Sequence, residues 1–173
     1  MRAAGLIATM GGIGHLRPAP GTWASAATVA LGAFAFQSGA SLLVPLAFIA
    51  ATAAGFAVVP RYLAARTGPD RSEDPSEVVI DEVAGQLLAL CFTFVPLWWR
   101  GVDDLLAAWP AWLVPFLLFR LFDIRKPWLV GRADRRGDVA GVMLDDLWAG
   151  LFAGLGAVAL AAIYHGARMA WAG

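Results

Sequence analysis

Apolar residues in this chain fall in long, nearly charge-free runs, separated by short stretches rich in Gly, Pro and charge. Five runs stand out: about Thr22 to Gln37, Leu42 to Val59, Val83 to Trp99, Leu105 to Phe122 and Leu147 to Tyr164. Several sit near the lower limit of about 17 residues for crossing a hydrocarbon layer of roughly 30 Å, and the pattern predicts membrane helices. The expected fold class is all-α, a polytopic membrane helical bundle of about five embedded helices forming one integral membrane domain over residues 1–173. The first run is the weakest and reads either as a full span or as a partial, re-entrant helix. Pro45, Pro96, Pro110 and Pro115 lie inside or beside these runs. Bundles tolerate such prolines because neighbouring helices satisfy the freed carbonyls.

Composition supports this. Of 173 residues, 60% are hydrophobic and 15% charged, against roughly a quarter charged in soluble domains, and mean hydropathy is +0.67. Thirteen basic residues balance thirteen acidic ones, so net charge says nothing about nucleic acid, and no nucleic-acid partner is expected of a membrane-embedded chain. The single cysteine, Cys91, excludes an internal disulfide and reads as a packing residue. The short apolar run after Arg2 is interrupted by Gly11, Gly12 and Gly14. It makes a poor signal peptide and is expected to stay in the mature fold.

If all five runs span, the connections alternate sides. Residues 1–21, 60–82 and 123–146 share one side and hold ten of the thirteen basic residues, whereas the other side holds Arg100 and Arg168 and Arg120 lies within a helix. The positive-inside rule makes the richer side cytoplasmic. Ten acids share that side, Asp123 marks its boundary, and only Asp103 and Asp104 lie opposite. The stretch from Arg66 to Glu77 reads as a polar loop ahead of the next helix.

Three constellations on the basic side could carry chemistry. Gly12 to Ser25 is an irregular Gly/Pro loop in which Thr22 and Ser25 can cap the following helix; exposed N–H groups at that start, with Arg17 nearby, suit a phosphate. Asp81-Glu82 and Asp145-Asp146 are adjacent acids that each open an apolar helix. Such acids can be simple dipole caps, but two pairs on one face supply up to four hard oxygen ligands and suit Mg²⁺. Each pair also has an acid one helical turn before a glycine, Asp81 before Gly85 and Asp146 before Gly150, and a small residue at that spacing lets another helix come close. In the third constellation Arg120, Asp123 and Lys126 follow at intervals of three and share a helix face if the helix persists to Pro127. They read either as an interfacial ion pair or as a metal ligand flanked by two phosphate-binding cations. The only histidines are His15 and His165, the latter predicted on the other side, and no Walker sequence is present. What remains is a carboxylate-held metal activating water against phosphorus.

Four ordered motifs are recognisable: Pro20-Gly21-Thr22-Trp23-x-Ser25, Ile80-Asp81-Glu82-x-x-Gly85, Phe119-Arg120-x-x-Asp123-x-x-Lys126-Pro127-Trp128 and Gly141-Val142-Met143-Leu144-Asp145-Asp146-x-x-Ala149-Gly150. Together they resemble the phosphatidylglycerophosphatase A family over roughly residues 10 to 160. The resemblance implies a multi-pass, Mg²⁺-dependent lipid phosphatase of the bacterial inner membrane with a cytoplasmic site. Its implied phospholipid substrate is phosphatidylglycerol phosphate, cleaved to phosphatidylglycerol and inorganic phosphate. Two positions depart from the family pattern: Ala24 replaces the usual Gly, and the run Arg136 to Gly141 lacks the common Gly-Gly pair.

The sequence thus predicts Asp81, Glu82, Asp123, Asp145 and Asp146 as metal-holding and catalytic, with Arg17, Thr22, Ser25, Arg120 and Lys126 on the substrate phosphate. The rival reading is a small cation transporter or channel with interfacial acids. It fits less well because every candidate span lacks a mid-membrane acid, where transporter sites are expected. A CDP-alcohol phosphotransferase would also use Mg²⁺ and interfacial aspartates, but its long single-segment aspartate pattern is missing.

Overall fold

The computed structural model describes residues 2–65 and 75–172. Most of the predicted polar loop between Arg66 and Glu77 therefore lies outside the described residues. Among the described residues seven α-helices follow in order: α1 Arg2–Ala8, α2 Pro20–Gln37, α3 Leu43–Ala64, α4 Ile80–Trp99, α5 Pro110–Arg125, α6 Trp128–Asp134 and α7 Val139–Ala172, with a 3-10 segment Met10–His15 before α2. No strand occurs among the described residues, and the all-helical expectation holds. Among the described residues three helices, α3, α4 and α7, are long and apolar enough to cross a membrane. The five predicted runs correspond to α2, α3, α4, α5 and α7.

The central helix is α4, which packs against α2, α3, α5 and α7. Over half of its apolar window is buried, 56% against 22% in α3 and 28% in α7. The main core gathers Phe36, Val59, Leu87, Leu90, Phe94 and Met143, and a smaller one forms around Ala89, Phe119, Ala149 and Ala153.

Helix boundaries move the candidate residues. α2 starts at Pro20, a favourable first-turn residue, so Thr22 and Ser25 lie inside the helix. Neither caps it: there is no side-chain cap, and Ser25 Oγ donates back to the Gly21 carbonyl at 2.9 Å. α7 begins at Val139, so Asp145 and Asp146 sit well inside it rather than opening it. Its start is fixed instead by Asp138, whose Oδ1 accepts the Gly141 N–H at 2.7 Å while Arg136 holds the same carboxylate. These residues fill the stretch that lacks the Gly-Gly pair. α5 stops at Arg125, and Lys126 takes a left-handed conformation at φ 46°. Lys126 therefore does not continue the helical face of Arg120 and Asp123.

The three basic-rich segments converge at one end of the bundle. Gly5 packs on Tyr62, the Val79 N–H donates to the Ala8 carbonyl at 2.9 Å, and Gly14 lies so close to the Glu77 backbone that a Cβ would overlap it. Tryptophans mark both ends: Trp23, Trp128 and Trp148 at this one, Trp98, Trp99, Trp109 and Trp112 at the other, most of them exposed. Interfacial aromatic belts have this distribution.

Candidate active site

At the basic-rich end, the starts of α2 and α4, the C-terminus of α5 and the first turns of α7 surround a cavity of about 230 Å³. Its lining includes Pro20, Gly21, Asp81, Glu82, Arg120, Asp123, Lys126, Asp145 and Asp146. All five predicted acids are brought together there.

Glycines permit the convergence. A Cβ on Gly21 would overlap the Glu82 carboxyl. Where α4 crosses α7, a Cβ on Gly150 would meet the Gly85 carbonyl, and one on Gly85 would meet the Asp146 carbonyl. The two glycines read from sequence as one turn below an acid are thus the contact point of these helices. Their approach sets Asp81 and Glu82 against Asp146, each offering an oxygen within 4.8 Å of the others. The pairs also share a local geometry: Asp81 Oδ1 accepts the Glu82 N–H and Asp145 Oδ1 the Asp146 N–H, both at 2.9 Å.

The remaining two acids face cations. Asp123 Oδ2 lies 2.8 Å from Arg120 Nη1, both side chains 15% exposed, and Arg120 Nη1 also reaches Ser25 Oγ at 3.5 Å. Lys126 Nζ lies 2.7 Å from Asp145 Oδ2 and pairs with Asp134 as well. Burial alone would lower the Lys126 ammonium, but hydrogen bonds and charge from Asp134 and Asp145 outweigh it and hold its pKa above the ordinary lysine value.

Arg17 is exposed and Thr22 half-buried, and neither is among the cavity-lining residues. Ser25 is fully buried against Arg120 rather than lining the cavity. Two residues near the site escaped sequence reasoning. Asp134 is eight residues from Lys126 across Pro127, a spacing that no helical periodicity pairs. Gln86, on α4 one turn beyond Glu82, is 0% exposed, and neither of its amide atoms has a hydrogen-bond partner.

Several charged atoms at the site are equally orphaned: Glu82 Oε2, Asp146 Oδ1 and Arg120 Nε are buried without a partner. Orphaned carboxyl oxygens away from water are costly. Three close carboxylates beside two cations that can face the same cavity form an arrangement able to hold a divalent cation and a phosphate together.

Comparison with known proteins bears on this arrangement. Residues 6–161 match the family described as Phosphatidylglycerophosphatase A. A protein of that name from Haemophilus influenzae is 33% identical over 150 residues, covering 86% of this chain and 82% of its own length. A Bacteroides thetaiotaomicron protein named "Putative phosphatidylinositol-3-phosphatase" is 37% identical over 81 residues, covering 46% of this chain and 45% of its own. No solved structure matches.

Proposed function

Because the chain belongs to the phosphatidylglycerophosphatase A family and is a phosphatase, we propose that it hydrolyses phosphatidylglycerol phosphate to phosphatidylglycerol and inorganic phosphate, with Mg²⁺, at the cytoplasmic face of the bacterial inner membrane. The observation that carries the cation is the Asp81, Glu82, Asp146 cluster, in which Glu82 Oε2 and Asp146 Oδ1 have no partner. That donor set fits Mg²⁺, a hard ion taking carboxylate oxygens, waters and phosphate oxygens. Bound there, Mg²⁺ supplies Lewis-acid polarisation of the phosphoryl oxygens and activation of water.

The chain's own residues do the rest. Arg120 and Lys126 bind the terminal phosphate and offset charge on the transferring phosphoryl group. Asp123 and Asp145 hold these two cations in place, and Ser25 backs Arg120. Asp123, held on Arg120 through Oδ2 and outside the three-acid cluster, takes the proton of the attacking water. The cytoplasmic assignment rests on the basic residues gathered at this end. Exposed Trp23 and Trp128 at the cavity end of the bundle, the pattern of an interfacial aromatic belt, support a headgroup enzyme over a transporter with a midplane site.

Purified protein tests this by phosphate release from phosphatidylglycerol phosphate, with phosphatidic acid and phosphatidylinositol 3-phosphate as competing substrates. Release should stop on chelation, return with Mg²⁺, and be lost in folded Asp146→Asn. Turnover that persists under chelation or in Asp146→Asn sinks the metal mechanism; preference for a competitor sinks the substrate.

A further inference from the structure

A second cavity, of about 310 Å³, lies outside the site already described. Leu129, Arg132, Ala133 and Arg136 line it from α6 and the turn that follows, and Leu144 and Trp148 line it from α7. The two cavities share no lining residue. Helix geometry keeps them apart: Leu144 and Trp148 are one turn apart on one face of α7, whereas Asp146 stands about 200° round the helix from Leu144.

The wall chemistry differs as well. No carboxylate lines this cavity, and its only charged groups are two guanidiniums. Arg136 gives Nε and Nη2 to Asp138, which leaves its Nη1 unused. The Arg132 side chain is exposed and makes no ion pair or hydrogen bond among the described residues. The surrounding segment, residues 125–138, holds Arg125, Lys126, Arg132, Arg135 and Arg136 against Asp134 and Asp138, so positive charge remains in excess after the internal pairs form.

Beyond the arginines the wall is apolar and follows α7 inward. Leu144, Trp148 and Phe152 occupy successive turns of a helix long and apolar enough to cross a membrane, and Trp148 stacks on Phe152 at 5.9 Å. Trp128 meets Phe152 edge-on at 6.0 Å and is largely exposed. A metal ion would find no ligand here, and a soluble anion would leave the apolar wall uncovered. Guanidiniums at the mouth, with an apolar wall leading inward, complement an amphiphile with an anionic head.

We propose that this cavity binds an anionic phospholipid, its phosphate on Arg132 and Arg136 and the first part of its acyl chains on Leu129, Leu144 and Trp148. The lipid is not substrate there, because the acids and Lys126 line the other cavity. The proposal needs only the membrane reading, and it stands whether or not the first cavity takes Mg²⁺.

Native mass spectrometry tests it, on purified protein in neutral detergent titrated with phosphatidylglycerol or with phosphatidylcholine of the same acyl chains. Phosphatidylglycerol should form a saturable adduct at least about fivefold tighter than phosphatidylcholine does. Arg132→Gln should weaken that adduct about fivefold, and Leu129→Glu, which sets a carboxylate in the wall, should weaken it further. Both positions are exposed, so both variants should melt near the wild-type midpoint. Arg61→Gln removes an exposed arginine from the last turn of α3 and should leave the adduct unchanged. Glycerol 3-phosphate, a head without chains, should not displace the lipid. Equal affinity for the two lipids, equal weakening in Arg61→Gln and Arg132→Gln, an unchanged adduct in both Arg132→Gln and Leu129→Glu, or displacement by glycerol 3-phosphate overturns the proposal. Phosphate release plays no part in these readouts, so failure of the phosphatase reading is seen separately.

Discussion

Replacing Gly150 by Ala should separate catalysis from folding. The added Cβ would lie 2.8 Å from the Gly85 carbonyl carbon and 3.0 Å from its Cα, with the carbonyl oxygen closer still. Carbon contacts settle near 3.5–4.0 Å, and these are backbone atoms that no rotamer change can move. The α4 and α7 axes must therefore part by about 1 Å at the crossing. Overpacking of this kind costs about 1–3 kcal/mol, against which Gly→Ala in a helix returns about 1 kcal/mol. The net loss of stability should be small, a few degrees in melting temperature. Asp146 lies one turn from Gly150 on α7, and Asp81 and Glu82 lie one turn from Gly85 on α4, so the same movement spreads the three-acid cluster. About 1 Å of misplacement at a reacting centre can cost roughly 100-fold. Phosphate release in mixed micelles at saturating Mg²⁺ should accordingly show kcat reduced by about two orders of magnitude in a protein that still melts cooperatively. Gly166→Ala is the control, since a Cβ there meets nothing within 4 Å, and it should be fully active. A Gly150→Ala enzyme within threefold of wild-type kcat would refute the claim that this crossing sets the site.

Lys126→Met removes the 2.7 Å cationic contact of Asp145; with the lysine 30% exposed, the loss should be about 1–2 kcal/mol, and the variant should melt earlier and show a raised KM for the lipid phosphate. The same lysine should shape the alkaline limb of stability. Its folded pKa lies above the ordinary value because Asp134 and Asp145 outweigh the opposing effect of burial, so its contribution is complete below the unfolded lysine pKa of about 10.4 and is lost as pH rises through the folded one. Melting temperature against pH should fall above about pH 10 in wild type, and that part of the fall should vanish in Lys126→Met. Asp138 works in the opposite direction. Hydrogen bonds from Arg136, then from the Gly141 N–H, hold its carboxyl below the usual range, so its contribution is present above the unfolded pKa of about 3.9 and fades as pH falls through the folded value. Asp138→Ala should fray the start of α7, read as faster amide exchange at Ala140 to Val142, while leaving the bundle's melting cooperative.

The acids were legible because burying charge beside apolar runs is costly enough to demand an explanation, and two such pairs with glycines one turn away suggested a helix crossing that the fold contains. The position of Asp145 within α7 was less legible. An apolar run marks where lipid or core begins, whereas the helix starts where Asp138 caps it, seven residues earlier than Asp145. Lys126 was misdirected because a single left-handed residue turns the chain away from the α5 face, and nothing in a spacing of three signals that turn. Gln86 was silent for a different reason: a lone amide in an apolar run looks tolerated until its partners can be counted.

The tryptophans at the site end carry a consequence for how rate depends on substrate. With Trp23 and Trp128 exposed at the cavity end of the bundle, the proposed interfacial site would let a lipid phosphate meet the cavity without leaving its leaflet. Encounter is then diffusion in a plane, and the governing quantity is the mole fraction of substrate in the bilayer rather than its amount per volume of suspension. Diluting the vesicles would leave the enzyme equally occupied; diluting the substrate with inert lipid would starve it.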